Sequence, residues 1–387
     1  LSFQLMMLVD YGGSIFPIIA HAPWNGVHLA DFVMPFFLFV AGVSVAIVYK
    51  KVANRVEATW KVLLKALKLI LLGVLLQGGY FHGATSLSYG VDIEKLRFPG
   101  ILQRIAIGYT VAALCEIWLP RQRWREDGFH ITYIWQWYVV FFLSVIYLWL
   151  LYGIYVPDWQ FSVVLPGSST AANNTFVKCA VRGDLGPACN SAGMIDRFLL
   201  GLDHLYAKPV YRNLKDCNIS NHGQLSSASP SWCHAPFDPE GILSSITAAV
   251  ACIIGLHYGH ILLQLQHHKD RLWNWSIYSV LLMVLGLLLA LSGTPLNKSL
   301  YTISYLMVTT ATAGITFCIL YTLVDVYGWR HLTSMLKWMG KHSLSIFILV
   351  TSNIVVIAAQ GFYFKAPENN VVSIVSLRQN PILYSTS

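Results

Sequence analysis

Residues 9–39, VDYGGSIFPIIAHAPWNGVHLADFVMPFFLF, place two acids and an imidazole, Asp10, His21 and Asp31, between two strongly apolar runs. Histidine titrates near neutrality, so His21 can take a proton from an attacking group or attack as a nucleophile itself. A carboxylate beside an imidazole can orient it and stabilise its protonated form. Ionisable residues at the edge of an apolar segment are expensive, which makes each a functional hypothesis by default. The Gly- and Pro-broken stretch YGGSIFP between them reads as irregular backbone, tolerated at that depth where it lines a cavity. The plainer alternative is an interfacial loop whose polar groups sit among lipid headgroups.

Other polar groups converge on the same region. Arg104, in RFPGILQRIAIGY, lies five residues past Pro99, about 7.5 Å along a helix; it either serves a site or neutralises a nearby acid. GLDHLY contributes Asp203 and His204, and FDPEGIL contributes Asp238 and Glu240 just before an apolar run. Asp238 and Glu240 could equally cap that helix, and for Glu240 capping is the favoured account. His257 and His260 in HYGH face each other at i, i+3, but two histidines are too few for a closed zinc site, and no metal is expected. The sequence has neither a G-x-S-x-G elbow nor a phosphate-binding Gly-rich loop, which argues against a serine hydrolase or a nucleotide triphosphatase.

The elements that must position these residues are membrane spans. The chain is 56% hydrophobic and only 11% charged, against roughly 25% charged residues in soluble domains. Several apolar runs exceed the ~18 residues that cross a bilayer as helices. The ~10-residue alternating segments of a membrane β-barrel are absent. The expected fold class is an all-α, polytopic transmembrane bundle of about nine helices. One is a partial span ending near residue 9; the others lie near 32–49, 62–80, 99–118, 134–156, 241–263, 275–293, 300–326 and 334–358. The first span reads as truncated and a final one as missing.

The short joining segments at 49–61, 120–127, 267–273 and 328–332 are basic and are assigned to the cytoplasm. His21 and the long 157–240 loop then share the opposite side. That loop carries Cys179, Cys189, Cys217 and Cys233, which a non-cytoplasmic compartment favours as disulfides. Three pairings exist, and proximity in sequence favours 179–189 with 217–233. Asn173 and Asn218 open glycosylation sequons in the same loop. The whole chain, 1–387, reads as one transmembrane domain. In a membrane protein the placement of Lys and Arg matters more than the net charge of +8, and no nucleic-acid partner is expected.

The stretch VDYGGSIFPIIAHAPWNGVHLADFVMPFFLFVAGVS, followed in order by RFPGILQRIAIGY, MIDRFLLGLDHLY, FDPEGIL and NKSLYTISY, resembles the heparan-α-glucosaminide N-acetyltransferase family. The resemblance covers almost the whole chain and is closest to plant-type members that lack the large luminal domain of the animal enzyme. It implies a multi-pass endomembrane protein of lysosomal or vacuolar type. Its activity would be transfer of acetyl from cytosolic acetyl-CoA to a luminal acceptor, such as the amine of a terminal glucosamine. The family's active-site histidine falls on His21. Its second catalytic position is an asparagine in the animal enzyme and Asp10 here, a departure that bears on acid–base chemistry. The matched motifs also put forward Trp24, Asn25, Asp31, Arg104, Asp203, His204, Asp238, Glu240, Asn297 and Lys298 as substrate-binding residues. Acetyl-CoA is the implied co-substrate; the bilayer, an amino-sugar acceptor and a second copy of the chain are the implied partners. The competing class is a transporter using Asp10, Asp31 and Arg104 as a substrate or proton path.

Overall fold

The computed structural model describes residues 5–9, 19–77, 96–119, 133–163, 173–206, 209–217, 229–329 and 333–351. A 3-10 turn at Leu29–Phe32 leads into α1 (Val33–Val48), followed by α2 (Arg55–Gln77), α3 (Ile101–Trp118) and α4 (Ile134–Gly153). After the long loop come α6 (Ile242–Gln264), α7 (His268–Leu291), α8 (Ile303–Tyr321), α9 (Ser334–Lys341) and α10 (Ser343–Thr351). Among the described residues, six helices are long and apolar enough to cross a membrane. The fold is therefore an all-α, polytopic membrane bundle.

The departures from the expected spans have local causes. α2 starts at Arg55 rather than near 62 because Asn54 Oδ1 accepts from the Val56 and Glu57 amides, capping the helix. α7 likewise starts at His268, well before residue 275. The last expected span breaks at His342 into α9 and α10, and its remainder past residue 351 lies outside the described residues.

The centre of the bundle is α6, which packs most extensively on α1. Gly42, Gly255 and Gly259 make this approach possible. A Cβ on Gly255 would lie 2.1 Å from the Phe39 carbonyl oxygen, and one on Gly42 would lie 1.9 Å from that of Cys252. GLHYG is thus a small-x-x-x-small helix-packing face. On the outside, α4 and α7 turn Phe141, Phe142, Trp149, Val280 and Leu288 outward, as helices solvated by lipid do. Far from His21, Glu116 of α3 pairs with His260 of α6 at 3.1 Å and accepts from Gln136 of α4 at 3.0 Å. The Tyr133 ring stacks on His260 at 3.8 Å, while His257 sits edge-on to the Trp137 and Tyr278 rings. Broken or unmatched, such a buried pair is costly, so it fixes how the three helices register.

The long loop folds on itself. β1 (Tyr155–Val156) pairs antiparallel with β4 (Val181–Arg182), and β2 (Trp159–Val163) with β3 (Asn173–Val177). α5 (Ser191–Leu200) follows, capped by Asn190 Oδ1, which accepts from the Gly193 amide at 2.7 Å. Cys179 is bonded to Cys189 and Cys217 to Cys233, the pairing favoured by sequence proximity. Asn173 opens β3; Asn218 lies outside the described residues.

Candidate active site

The site forms where α1, α3, α6 and α8 all begin. Asp31 sits in the 3-10 turn ahead of α1, fully buried, and its carboxylate is completely engaged. Oδ2 accepts from the His28 amide at 2.9 Å and the Ala22 amide at 3.2 Å, and Oδ1 lies 2.8 Å from His21 Nδ1. Tyr305 of α8 donates its hydroxyl to the Asp31 carbonyl oxygen. A carboxylate only accepts hydrogen bonds, so the proton on the ring belongs on Nδ1 and leaves Nε2 with a free lone pair.

Lys298 comes from the α7–α8 connection. Its Nζ is 2.9 Å from His21 Nδ1, 3.3 Å from Nε2 and 3.5 Å from Asp31 Oδ1. The in-plane directions of the two ring nitrogens point apart, so an atom this close to both lies over the ring face rather than in line with either. Burial pushes the Lys298 amine below its ordinary value, and Asp31 and Glu240 pull it back up.

The connection is held by Asn297, which is fully buried. Its backbone pairs with Asn25 as an isolated antiparallel bridge, its Nδ2 donates to Asn25 Oδ1 at 3.3 Å, and its Oδ1 accepts from the Leu300 amide at 2.9 Å. Gly26, at φ +101°, occupies the left-handed region that favours glycine, and its amide donates to Leu296 O at 2.8 Å. Tyr301, a fully buried non-glycine residue at φ +54°, completes this tight connection.

A second ionic group lies alongside. Arg97 forks onto Asp238 through two 2.6 Å hydrogen bonds and reaches Glu240 at 2.6 Å. Burial alone would raise the Glu240 carboxyl, but Arg97, Arg104 and Lys298 together hold it below its ordinary value. The Arg104 guanidinium is buried, donates to Pro239 O and Ser244 Oγ, and stands 5.4 Å from the Tyr301 ring centre. His204 Nδ1 bonds Leu96 O at 2.7 Å and its ring lies 4.4 Å from that of Phe98, clamping the segment that presents Arg97.

The structure thus brings together His21, Asn25, Asp31, Arg104, Asp238, Glu240, Asn297 and Lys298, with His204 one layer out. Trp24 is buried in an aromatic cluster instead, 5.5 Å from Phe237 and 5.9 Å from Tyr211, with Nε1 donating to Leu185 O. Asp203 is exposed. Asp10 lies outside the described residues. Arg97 did not stand out in the sequence, although it opens the RFPGILQRIAIGY segment; the signal was a lone cation matched to the unpaired acids of FDPEGIL. Asp196 was also passed over: its carboxylate accepts from the Ile242 amide at 2.9 Å, at the start of α6. A cavity of about 260 Å³ opens beside these groups, lined by His21, Met34, Arg97, Tyr206, Glu240 and Lys298.

Fold and site together define a polytopic helical membrane protein in which a buried aspartate holds a partly exposed histidine, overlaid by a lysine, at one end of the bundle. No family model matches the sequence. The chain is 29% identical over 355 residues to the heparan-alpha-glucosaminide N-acetyltransferase of Mus musculus, covering 85% of this chain and 48% of that protein. Against the enzyme of the same name from Homo sapiens it is 29% identical over 348 residues, covering 84% of this chain and 47% of the relative. The chain is thus a relative of these acetyltransferases, as its motifs led one to expect, and spans about half the length of the curated relatives it matches.

Proposed function

We propose that this protein is a transmembrane acetyltransferase. It moves acetyl from cytosolic acetyl-CoA to the amine of a luminal acceptor, a terminal glucosamine or a similar amino sugar. The observation that carries this reading is the Asp31–His21 pair. With Nδ1 donating to a fully engaged carboxylate, Nε2 is a nucleophile on a residue that lines the cavity. Attack of Nε2 on the thioester carbonyl forms a carbon–nitrogen bond, breaks the carbon–sulfur bond and releases CoA. The positive charge gained by the ring is balanced by Asp31. The acceptor amine then takes the acetyl group from His21, and Asp10 is the remaining catalytic candidate.

The order of the cavities supports delivery from the cytosol. The cavity at His21 shares Phe37 as a wall with one of about 520 Å³ between α1 and α8. That cavity shares Leu320 with another of about 680 Å³ lined by Lys337 and Lys341. These lysines lie at the end carrying the short basic connections, where an anionic phosphate-bearing co-substrate would be drawn. The disulfide-bonded loop and His21 would then face the lumen of an endomembrane compartment.

The test is turnover by the purified, membrane-reconstituted protein. Acetyl-CoA is supplied with glucosamine and a panel of other amines, and CoA release and acetylated product are measured. Acceptor-dependent product with amino sugars is expected. Failure to consume acetyl-CoA, together with solute flux across liposomes in its absence, would favour a transporter.

A further inference from the structure

Once His21 carries the acetyl group, the groups that made the first step possible are no longer free to act as the base of the second. The attacking nitrogen bears two protons and must end as an amide with one. Nε2 is blocked by the acetyl group, and Nδ1 is committed to Asp31. Both oxygens of Asp31 are taken by His21 and by backbone amides. Glu240 is held below its ordinary value by Arg97 first and Arg104 next, which makes it a poor proton acceptor. Arg97 and Arg104 remain protonated throughout.

We propose that Lys298 is the general base of the transfer step, an inference that rests on the acetyl-histidine form of the reaction. Three observations carry it. Lys298 lines the same cavity as His21, so it is within reach of an incoming acceptor. Its Nζ stands over the imidazole face, 2.9 and 3.3 Å from the two nitrogens. An acyl group on a ring nitrogen lies in the ring plane, so an attacking amine approaches its carbonyl from one of the two ring faces, and Lys298 stands over one of them. The fixed turn between Asn297 and Tyr301 holds the lysine there.

The charged groups facing Lys298 are Asp31 and Glu240, which favour its ammonium form, and Arg104, which opposes it. Burial opposes it more strongly than any of them, so the amine releases its proton more easily than an exposed lysine does. As the neutral acceptor amine attacks, the new carbon–nitrogen bond forms and the bond to Nε2 breaks, its electron pair returning to the ring. Lys298 Nζ takes one proton from the attacking nitrogen and becomes an ammonium. The positive charge lost by the acylated ring is thereby gained by the lysine, which later returns its proton to solvent.

The two half-reactions separate the lysine's role from that of His21. Acetyl-CoA is added without acceptor and the burst of CoA is measured; acceptor is then added and the rate of amide formation followed against pH. In Lys298→Arg, which keeps the charge but cannot act as a base, the burst should stay within a few-fold of wild type. Amide formation should fall by roughly 10²–10⁴ and lose its rise with pH. Lys298→Ala should regain part of the transfer rate when a small tertiary amine, itself unable to form an amide, is supplied; Lys298→Arg should not. Transfer by Lys298→Arg at the wild-type rate would reduce the lysine to a fixed charge and overturn the proposal. So would a loss of pH dependence in Asp10→Asn with none in Lys298→Arg, which would move the base to Asp10. A wild-type protein that gives neither a burst nor acetyl on His21 would defeat the acetyl-histidine form itself.

Discussion

Asn297 donates its side-chain amide to Asn25 Oδ1 at 3.3 Å while the two backbones pair as an antiparallel bridge. This contact fastens the α7–α8 connection to the segment ahead of α1. It is why Lys298 and His21, 277 positions apart, meet over one imidazole ring. Removing the Asn297 side chain leaves the buried Leu300 amide without its acceptor. Asn297→Ala should cost about 1–3 kcal/mol of stability and slow amide formation, with acetyl-CoA binding little changed. Calorimetry of the folded variant beside its half-reaction rates checks both parts.

Loss of His21 should be felt in chemistry and not in folding, because its side chain is partly exposed on the cavity wall. His21→Ala should lower acetyl transfer by roughly 10²–10⁴ while both disulfides and the melting temperature are retained. Asp31→Asn should do damage on both counts. An amide can accept from only one side, so it cannot serve the His28 and Ala22 amides and the His21 ring N–H together. A thermal scan beside an activity assay separates the two variants.

The two disulfides close loops whose ends are 10 and 16 residues apart. For loops of about 15 residues the chain-entropy account gives ~3 kcal/mol each. The Cys217–Cys233 bond ties down the segment whose Trp232 and Ala235 carbonyl oxygens accept from the Tyr211 hydroxyl, and the Tyr211 ring meets Trp24 and Phe237 beside the site. Reduction should therefore lower both the melting temperature and the activity, with the protein remaining in the membrane. Proteolysis within 157–240 that speeds up on reduction is the expected readout.

Stability should also depend on pH through Asp196. Burial raises its carboxyl to about 7, against the Ile242 amide, Arg104 and Arg197, which favour ionisation. A carboxyl raised in the folded state stabilises it fully below the unfolded value, near 4. That contribution is lost as pH rises to about 7, and is on the order of 4 kcal/mol at most. Between pH 4.5 and 7 the wild-type protein should lose melting temperature relative to Asp196→Asn. Parallel profiles for the two proteins would remove Asp196 from the pH response.

Much of this was legible in the sequence. Apolar run length gives the spans, and the favoured disulfide pairing followed from proximity alone. The acids and cations of the site stand at span edges, where an ionisable side chain has few other reasons to be. Other features depend on contacts between distant segments and leave no local trace. Arg97 acquires meaning only once the Asp238–Glu240 pair folds against it. Trp24 looks like a ligand-binding ring beside His21, yet the long loop covers it with Tyr211 and Phe237. The 255–259 glycine pair lies in plain sight, but its purpose is visible only in how closely α1 approaches.

The central claim is that His21 accepts the acetyl group. Its most direct test is to mix the reconstituted protein with isotope-labelled acetyl-CoA, without acceptor, quench rapidly at low temperature and map the label by peptide mass spectrometry. The account predicts one labelled acetyl group per chain on the peptide containing His21, lost when an amino-sugar acceptor is added before the quench and absent from His21→Ala. Label that never appears on His21, while acceptor is acetylated at full rate, would contradict it.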